Sequence, residues 1–353
     1  MGRLAVSAAR LIDTATALVG RGKGLLAMDE SNPTCDKRFA ALGIPRTVEM
    51  RRAYRELLIT TPGLAEFISG AILYDETIRQ NDRHGRPFVD RLTGLGIIPG
   101  IKVDTGAKPL ALHPGEKITE GLDGLRGRLA EYAGMGARFA KWRGVVGLED
   151  GQPSRGCIRA NAQALARYAA LCQEAGIVPI VEPEVLMAGN HAMEQSRVAT
   201  GDVLEALFEE LASQSVMLEG VILKPNMVLP GLDCPTQEPV HEVATATVQC
   251  LLRSVPAAVA GVAFLSGGQS AQLASARLSA INLRAGPDQA PWPMVFSFAR
   301  ALQQPALEIW RGKEANVVAA QEALLHRARC NHAALSGSYE ASMEDKPGLR
   351  LAS

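Results

Sequence analysis

The sequence predicts a closed (β/α)8 barrel, an α/β fold in a single domain. Three observations carry that prediction. Eight short apolar runs recur along the chain, polar or charged residues stand at their C-terminal ends, and helix-periodic stretches lie between them. Strands that alternate with helices make parallel βα units, and eight such units favour closure over an open sheet. No Pro/Ser-rich linker, composition break or sequence repeat divides the 353 residues.

The strands are expected, in order, at Gly24–Asp29, Ala71–Glu76, Ile97–Asp104, Phe139–Arg143, Ile177–Glu184, Val221–Lys224, Val262–Ser266 and Met294–Arg300. Asn161–Ala175 sets Leu165, Tyr168, Ala169 and Cys172 on one helical face and stops at Gly176, which suits the position past a helix end. Val203, Leu204, Leu207, Phe208 and Leu211 follow helical spacing, and His241–Arg253 forms a further helix closed by Pro256. The barrel is expected over residues 1–334. A tail over 335–353, with Ser336, Gly337, Ser338, Pro347 and Gly348, is expected to be mobile.

Composition narrows the function. Hydrophobic residues make up 47% and charged residues 21%, enough for a sizeable core. Lys plus Arg and Asp plus Glu number 37 each, so net charge gives no reason to expect nucleic acid or an anionic membrane as partner. Six scattered cysteines without a C-x-x-C pair read as reduced thiols. The start lacks a signal-peptide core and no apolar stretch is long enough to span a membrane, so a cytoplasmic location is expected.

Residues two apart in a strand share a face, roughly 7 Å apart. Lys102 with Asp104, Lys141 with Arg143, and Glu182 with Glu184 therefore point together, and Lys224 ends the next strand. A single charged strand end is ordinarily just solvated. Four in succession at a barrel mouth suggest mutual pairing or a charged ligand, since isolated buried charge is costly. Arg38 and Arg300 raise the cations to six against Asp29, Asp104, Glu182 and Glu184, a surplus that suits an anion with phosphates at both ends. Lys224 has apolar neighbours. Desolvation and a nearby cation such as Lys141 would leave it a nucleophilic free amine, although a lysine can also snorkel to solvent. Ser266-Gly267-Gly268-Gln269-Ser270 between a strand and a helical stretch at Ala271–Ile281 is either an anion-binding turn or an ordinary one. Gly20, Gly22 and Gly24 precede a strand, which excludes a nucleotide fingerprint, and the six histidines show no metal-site spacing.

Six stretches in order carry a family likeness: Gly22–Ser31 (GKGLLAMDES), Gly100–Asp104 (GIKVD), Phe139–Arg143 (FAKWR), Ile177–Glu184 (IVPIVEPE), Leu223–Met227 (LKPNM) and Phe264–Ser270 (FLSGGQS). From about Leu11 to Tyr339 the chain resembles class I fructose-bisphosphate aldolase. The resemblance implies a TIM barrel, a homotetramer, and a lyase that reversibly cleaves fructose 1,6-bisphosphate to dihydroxyacetone phosphate and glyceraldehyde 3-phosphate. It implies no metal or other cofactor, and no partner beyond small sugar phosphates. By motif position, Lys224 would form the Schiff base and Glu182 would be the general acid/base, its pKa tuned toward neutral. Asp29 would orient the substrate, Lys141 would assist the carbinolamine, and Glu184 would tune the local charge. Ser266, Gly267, Gly268, Ser297 and Arg300 would hold the phosphate next to the ketone. Ser31, Thr34, Arg38, Lys102 and Arg143 would hold or approach the distal one.

Departures from the family pattern are Thr34 for a frequent Ser, Ala299 for a frequent Gly, and an end at Ser353 without a terminal Tyr. The rival expectations are an aldolase that also uses sedoheptulose 1,7-bisphosphate, and a non-catalytic scaffold that keeps the fold.

Overall fold

The computed structural model describes residues 2–20, 22–149 and 153–345. Its strands are β1 Gly24–Ala27, β2 Ile68–Leu73, β3 Ile98–Lys102, β4 Gly106–Pro109, β5 Lys117–Glu120, β6 Phe139–Val146, β7 Val178–Val185, β8 Ile222–Leu223, β9 Gly261–Phe264 and β10 Met294–Phe298. All eight expected strands are present. They pair in parallel in the closed order β1-β10-β9-β8-β7-β6-β3-β2, a (β/α)8 TIM barrel. Parallel strands are covered on both faces, which is why β2, β7 and β10 are buried along their whole length.

Period-two alternation sorts each strand. Leu25, Ala27, Ile72, Phe139, Val178, Ile180, Ile222, Ala263 and Val295 form the core inside the barrel. Their neighbours, such as Leu26, Leu73, Ala140, Val181 and Phe296, pack outward against the helices. Asp29, Lys141, Glu182, Lys224 and Ser297 continue the inward-facing series one layer higher, so the alternation that builds the interior also places the charges at its mouth. Gly100 makes this possible. A Cβ there would lie 2.3 Å from the Phe139 ring, so only glycine lets that ring fill the interior. Leu11, Ala15, Leu18 and Val19 of the N-terminal helix Gly2–Val19 join the interior core and seal the barrel beneath the strands.

Three details differ from expectation. The helix expected from Asn161 begins at Arg155, because the Ser154 side chain accepts from Cys157 N–H and caps it. The stretch at Ala271–Ile281 continues to Gln289, broken only at Gly286. The β4/β5 hairpin was not expected. It crosses the rim after β3, antiparallel, and Gly106 and Ala107 reach the mouth.

The expected tail begins as the helix Val317–Leu335 ends. A 3-10 turn, Ala341–Glu344, then packs back through Glu344 against Arg327. Residues 346–353, the remainder of that tail, lie outside the described residues. All six cysteines are thiols. Among the described residues no helix is long and apolar enough to cross a membrane.

Candidate active site

A cleft of about 620 Å3 opens at the C-terminal ends of the strands. Of the fifteen residues expected there, all but Arg38 line it: Asp29, Ser31, Thr34, Lys102, Lys141, Arg143, Glu182, Glu184, Lys224, Ser266, Gly267, Gly268, Ser297 and Arg300. Its size suits a small metabolite.

At its floor the charges alternate in a line. Lys141 Nζ lies 2.7 Å from Asp29 Oδ2 and 3.2 Å from Glu182 Oε2, and the other Glu182 oxygen, Oε1, lies 3.2 Å from Lys224 Nζ. All four residues are buried, with Lys224 only 3% exposed. Lys141 was expected near Lys224, and the two ammonium groups share the Glu182 carboxylate. Glu182 stands between Lys141 and Lys224, so the nearest charge to Lys224 is a carboxylate.

Burial pushes the Lys141 ammonium down, but Asp29, Glu182 and Asp104 more than offset that and hold it well above the ordinary lysine range. Burial likewise raises Glu182, yet Lys141, Lys224 and Arg143 win and hold it below its ordinary value. That direction is opposite to the expected tuning toward neutral. Glu182 Oε2 accepts no hydrogen bond despite its ion pair with Lys141.

The backbone around Lys224 is pinned from both sides. Pro225 ends β8 after two residues because it has no N–H for the ladder. Lys224 N–H donates to Val181 O at 2.8 Å. The buried Asn226 then ties this turn to β7, accepting from Val185 N–H at 3.0 Å and donating to Thr200 Oγ1 at 3.1 Å. The strand that carries Glu182 and the one that presents Lys224 are thus held in fixed register.

One end of the cleft is built for an anion. Gly267 and Gly268 take φ of 57° and 102°, which favour glycine, and Ser270 caps the helix that follows by accepting from Leu273 N–H. Arg300 begins the helix Arg300–Trp310, and its Nη2 lies 3.2 Å from where a Gly268 Cβ would stand. Arg300 has no carboxylate partner among the described residues, and the buried Ser297 Oγ has no hydrogen-bond partner. Two helix N-termini, a guanidinium and an unused hydroxyl converge on one place, which suits a phosphate. Ala299 takes φ −100°, outside the left-handed region that would require glycine.

The opposite end holds the hydroxyls of Ser31 and Thr34, 3.0 Å apart. Its cations are already paired, Lys102 with Asp104 and Arg143 with Glu184, each at 2.5 Å. Arg38 is off the cleft wall. Its guanidinium pairs with Glu30, which Arg55 also holds at 2.8 Å, and reaches Gln303 and Gln304. The surplus of cations therefore does not describe the wall. With Arg38 removed and Glu30 added, Lys102, Lys141, Arg143, Lys224 and Arg300 face five carboxylates.

Sequence reasoning also missed Gln303, fully buried, whose side-chain amide donates to Ala27 O at the end of β1 and accepts from Tyr54 O–H at 2.9 Å. Its place one turn after Arg300 was the available signal.

A parallel barrel with a buried lysine–carboxylate centre and an anion site at its C-terminal mouth defines a barrel enzyme acting on a small phosphorylated substrate. A family model described as glycolytic, fructose-bisphosphate aldolase class-I, matches residues 10–350. The probable fructose-bisphosphate aldolase class 1 of Xylella fastidiosa is 53% identical over 336 residues, covering 95% of this chain and 100% of the relative. The chloroplastic fructose-bisphosphate aldolase 1 of Chlamydomonas reinhardtii is 49% identical over 95% of this chain and 88% of its own length. Among solved structures, the Plasmodium falciparum fructose-bisphosphate aldolase, in complex with TRAP and a small-molecule inhibitor, has TM-score 0.93 and 47% identity, covering 96% of this chain and 97% of that one. The chain belongs to the class I fructose-bisphosphate aldolase family.

Proposed function

We propose that the protein reversibly cleaves fructose 1,6-bisphosphate to dihydroxyacetone phosphate and glyceraldehyde 3-phosphate through an imine on Lys224, with no metal in the reaction. The observation that carries this reading is the buried Lys224 Nζ 3.2 Å from Glu182 Oε1. A lysine becomes a nucleophile by giving up a proton, and this carboxylate is the acceptor at hand.

The amine adds to the C2 ketone, and the carbinolamine oxygen leaves as water with the proton that Glu182 has taken up. The resulting iminium accepts the electron pair of the C3–C4 bond, while the C4 hydroxyl proton passes to Glu182 and glyceraldehyde 3-phosphate departs. The enamine is then protonated at C3, and hydrolysis returns dihydroxyacetone phosphate and the free lysine. Lys141, a permanent ammonium between two carboxylates, stabilises negative charge on the carbinolamine oxygen. Asp29 orients the substrate hydroxyls, and Glu184 restrains Arg143.

Ser266, Gly267, Gly268, Ser297 and Arg300 hold the ketone-side phosphate. Ser31, Thr34, Lys102 and Arg143 receive the distal one, which must compete with Asp104 and Glu184 for the two cations. Arg38 acts through Glu30, which it holds together with Arg55. Two anchors convert binding energy into alignment of C2 and C3–C4. Family membership supports a homotetramer, and a cytosolic relative in Arabidopsis thaliana, 48% identical, supports a cytoplasmic location.

The test is turnover of fructose 1,6-bisphosphate in EDTA, with sedoheptulose 1,7-bisphosphate as competitor. Cleavage that persists in EDTA and is lost in Lys224→Met is the expected result. Cleavage abolished by EDTA and restored by zinc refutes the metal-free reaction, and preferred turnover of the longer sugar refutes the substrate.

A further inference from the structure

Outside the cleft lining, His326 and Cys330 stand one turn apart on the helix Val317–Leu335, and Glu344 of the terminal 3-10 turn folds back over them. His326 Nε2 lies 3.6 Å from Cys330 Sγ and 3.6 Å from Glu344 Oε2, and the three ligand atoms all lie within 4.8 Å of one another. This is the only such group of three or more His, Cys, Asp or Glu among the described residues. A tetrahedral zinc ion, with bonds of about 2.0 Å to nitrogen or oxygen and about 2.3 Å to sulfur, sets neighbouring ligand atoms roughly 3.3–3.6 Å apart. The two measured separations already match that edge length.

The surroundings orient the carboxylate. Arg327 and the Tyr339 hydroxyl both bind Glu344 Oε1, the hydroxyl at 2.8 Å, which leaves Oε2 turned toward the imidazole. Arg327 is itself fixed by donating to Ala271 O at 2.9 Å and Ser275 Oγ at 2.6 Å. Partners that hold the outer oxygen of a ligating carboxylate are the usual second layer of a metal site. His326 and Cys330 are buried, and Glu344, with its side chain 19% exposed, is the solvent-facing member of the group.

We propose that His326, Cys330 and Glu344 bind a single thiophilic divalent cation of the zinc class, which fastens the C-terminal turn to the helix beneath it. Binding replaces the Cys330 S–H proton by the metal and releases that proton to solvent, so affinity falls as pH is lowered. The ion has no part in carbon–carbon cleavage. Metal binding and EDTA-resistant aldol cleavage are separate readings that stand or fall independently.

The test uses the full chain, stripped with EDTA and dialysed, then titrated with zinc alone against a chromophoric chelator, with cobalt as spectroscopic probe. The expected result is one ion per chain, a thiolate-to-cobalt charge-transfer band, and a melting temperature that zinc raises. Cys330→Ser should abolish the band, and Glu344→Gln should weaken binding at least about tenfold. Glu344→Gln also touches the Arg327 and Tyr339 contacts, so its metal-free melting is recorded beside the wild type and its zinc affinity is read below that transition. No saturable binding at micromolar zinc overturns the proposal. So does unchanged affinity in both variants, which would put the ion elsewhere.

Discussion

At the scale of single residues, the site is governed by which charge stands next to which. Burial raises Asp29, but Lys141, Lys224 and Lys102 outweigh it and hold the carboxyl at about 2. A carboxyl lowered on folding stabilises the folded chain above its unfolded value near 4, and that contribution is lost as pH falls toward 2. Unfolding free energy in Asp29→Asn should therefore change less steeply between about pH 4 and 2 than in the wild type. Parallel curves would contradict the pairing. Lys141 is the cation that lowers Glu182 most. Lys141→Met should move the acidic limb of kcat/KM upward and cut kcat by about a hundredfold or more, and an unmoved limb would contradict the assignment. The identities of these residues were legible because charged types recur at strand ends with period two. Their pairing was not. Whether Lys224 faces Lys141 or Glu182 depends on how neighbouring strands bring their ends together, and Arg38 was misplaced because Glu30 and Gln303 hold it from elements distant in sequence.

At the scale of elements, the buried parallel strands were legible because each is a short apolar run bounded by polar residues. The β4/β5 hairpin was not, since its largely exposed residues show no hydrophobic alternation. The Pro114-Gly115 pair between its strands was the only local hint. The N-terminal helix acts as a floor for the barrel. Leu18 is fully buried, and a Cβ on Gly70 would lie 2.6 Å from its Cδ2. Leu18→Ala should cost about 3 kcal/mol in denaturant unfolding while leaving KM unchanged, because the cavity opens at the end remote from the cleft. The turn at Gly267 makes the opposite prediction. Its φ of 57° strains any side chain, and Met187 Cε, 2.9 Å from where a Cβ would stand, would have to shift. Gly267→Ala should raise KM for the bisphosphate roughly tenfold, and an unchanged KM would remove this turn from the phosphate site.

At the scale of the whole molecule, closure of the barrel follows from the count of eight strands, each with its helix, and the sequence carried that count. Subunit association was not legible. The exposed large apolar residues, such as Ile12, Val48, Leu112 and Val318, are scattered over the chain and show no periodic seam. Sedimentation should nevertheless give a single species of four chains, and a monomer would contradict the proposed tetramer. The central claim is chemical, and trapping tests it most directly. Borohydride added with dihydroxyacetone phosphate should reduce the imine and leave one stable adduct, which peptide mass spectrometry locates on Lys224. An adduct on another lysine, or none while cleavage continues undiminished, would contradict it.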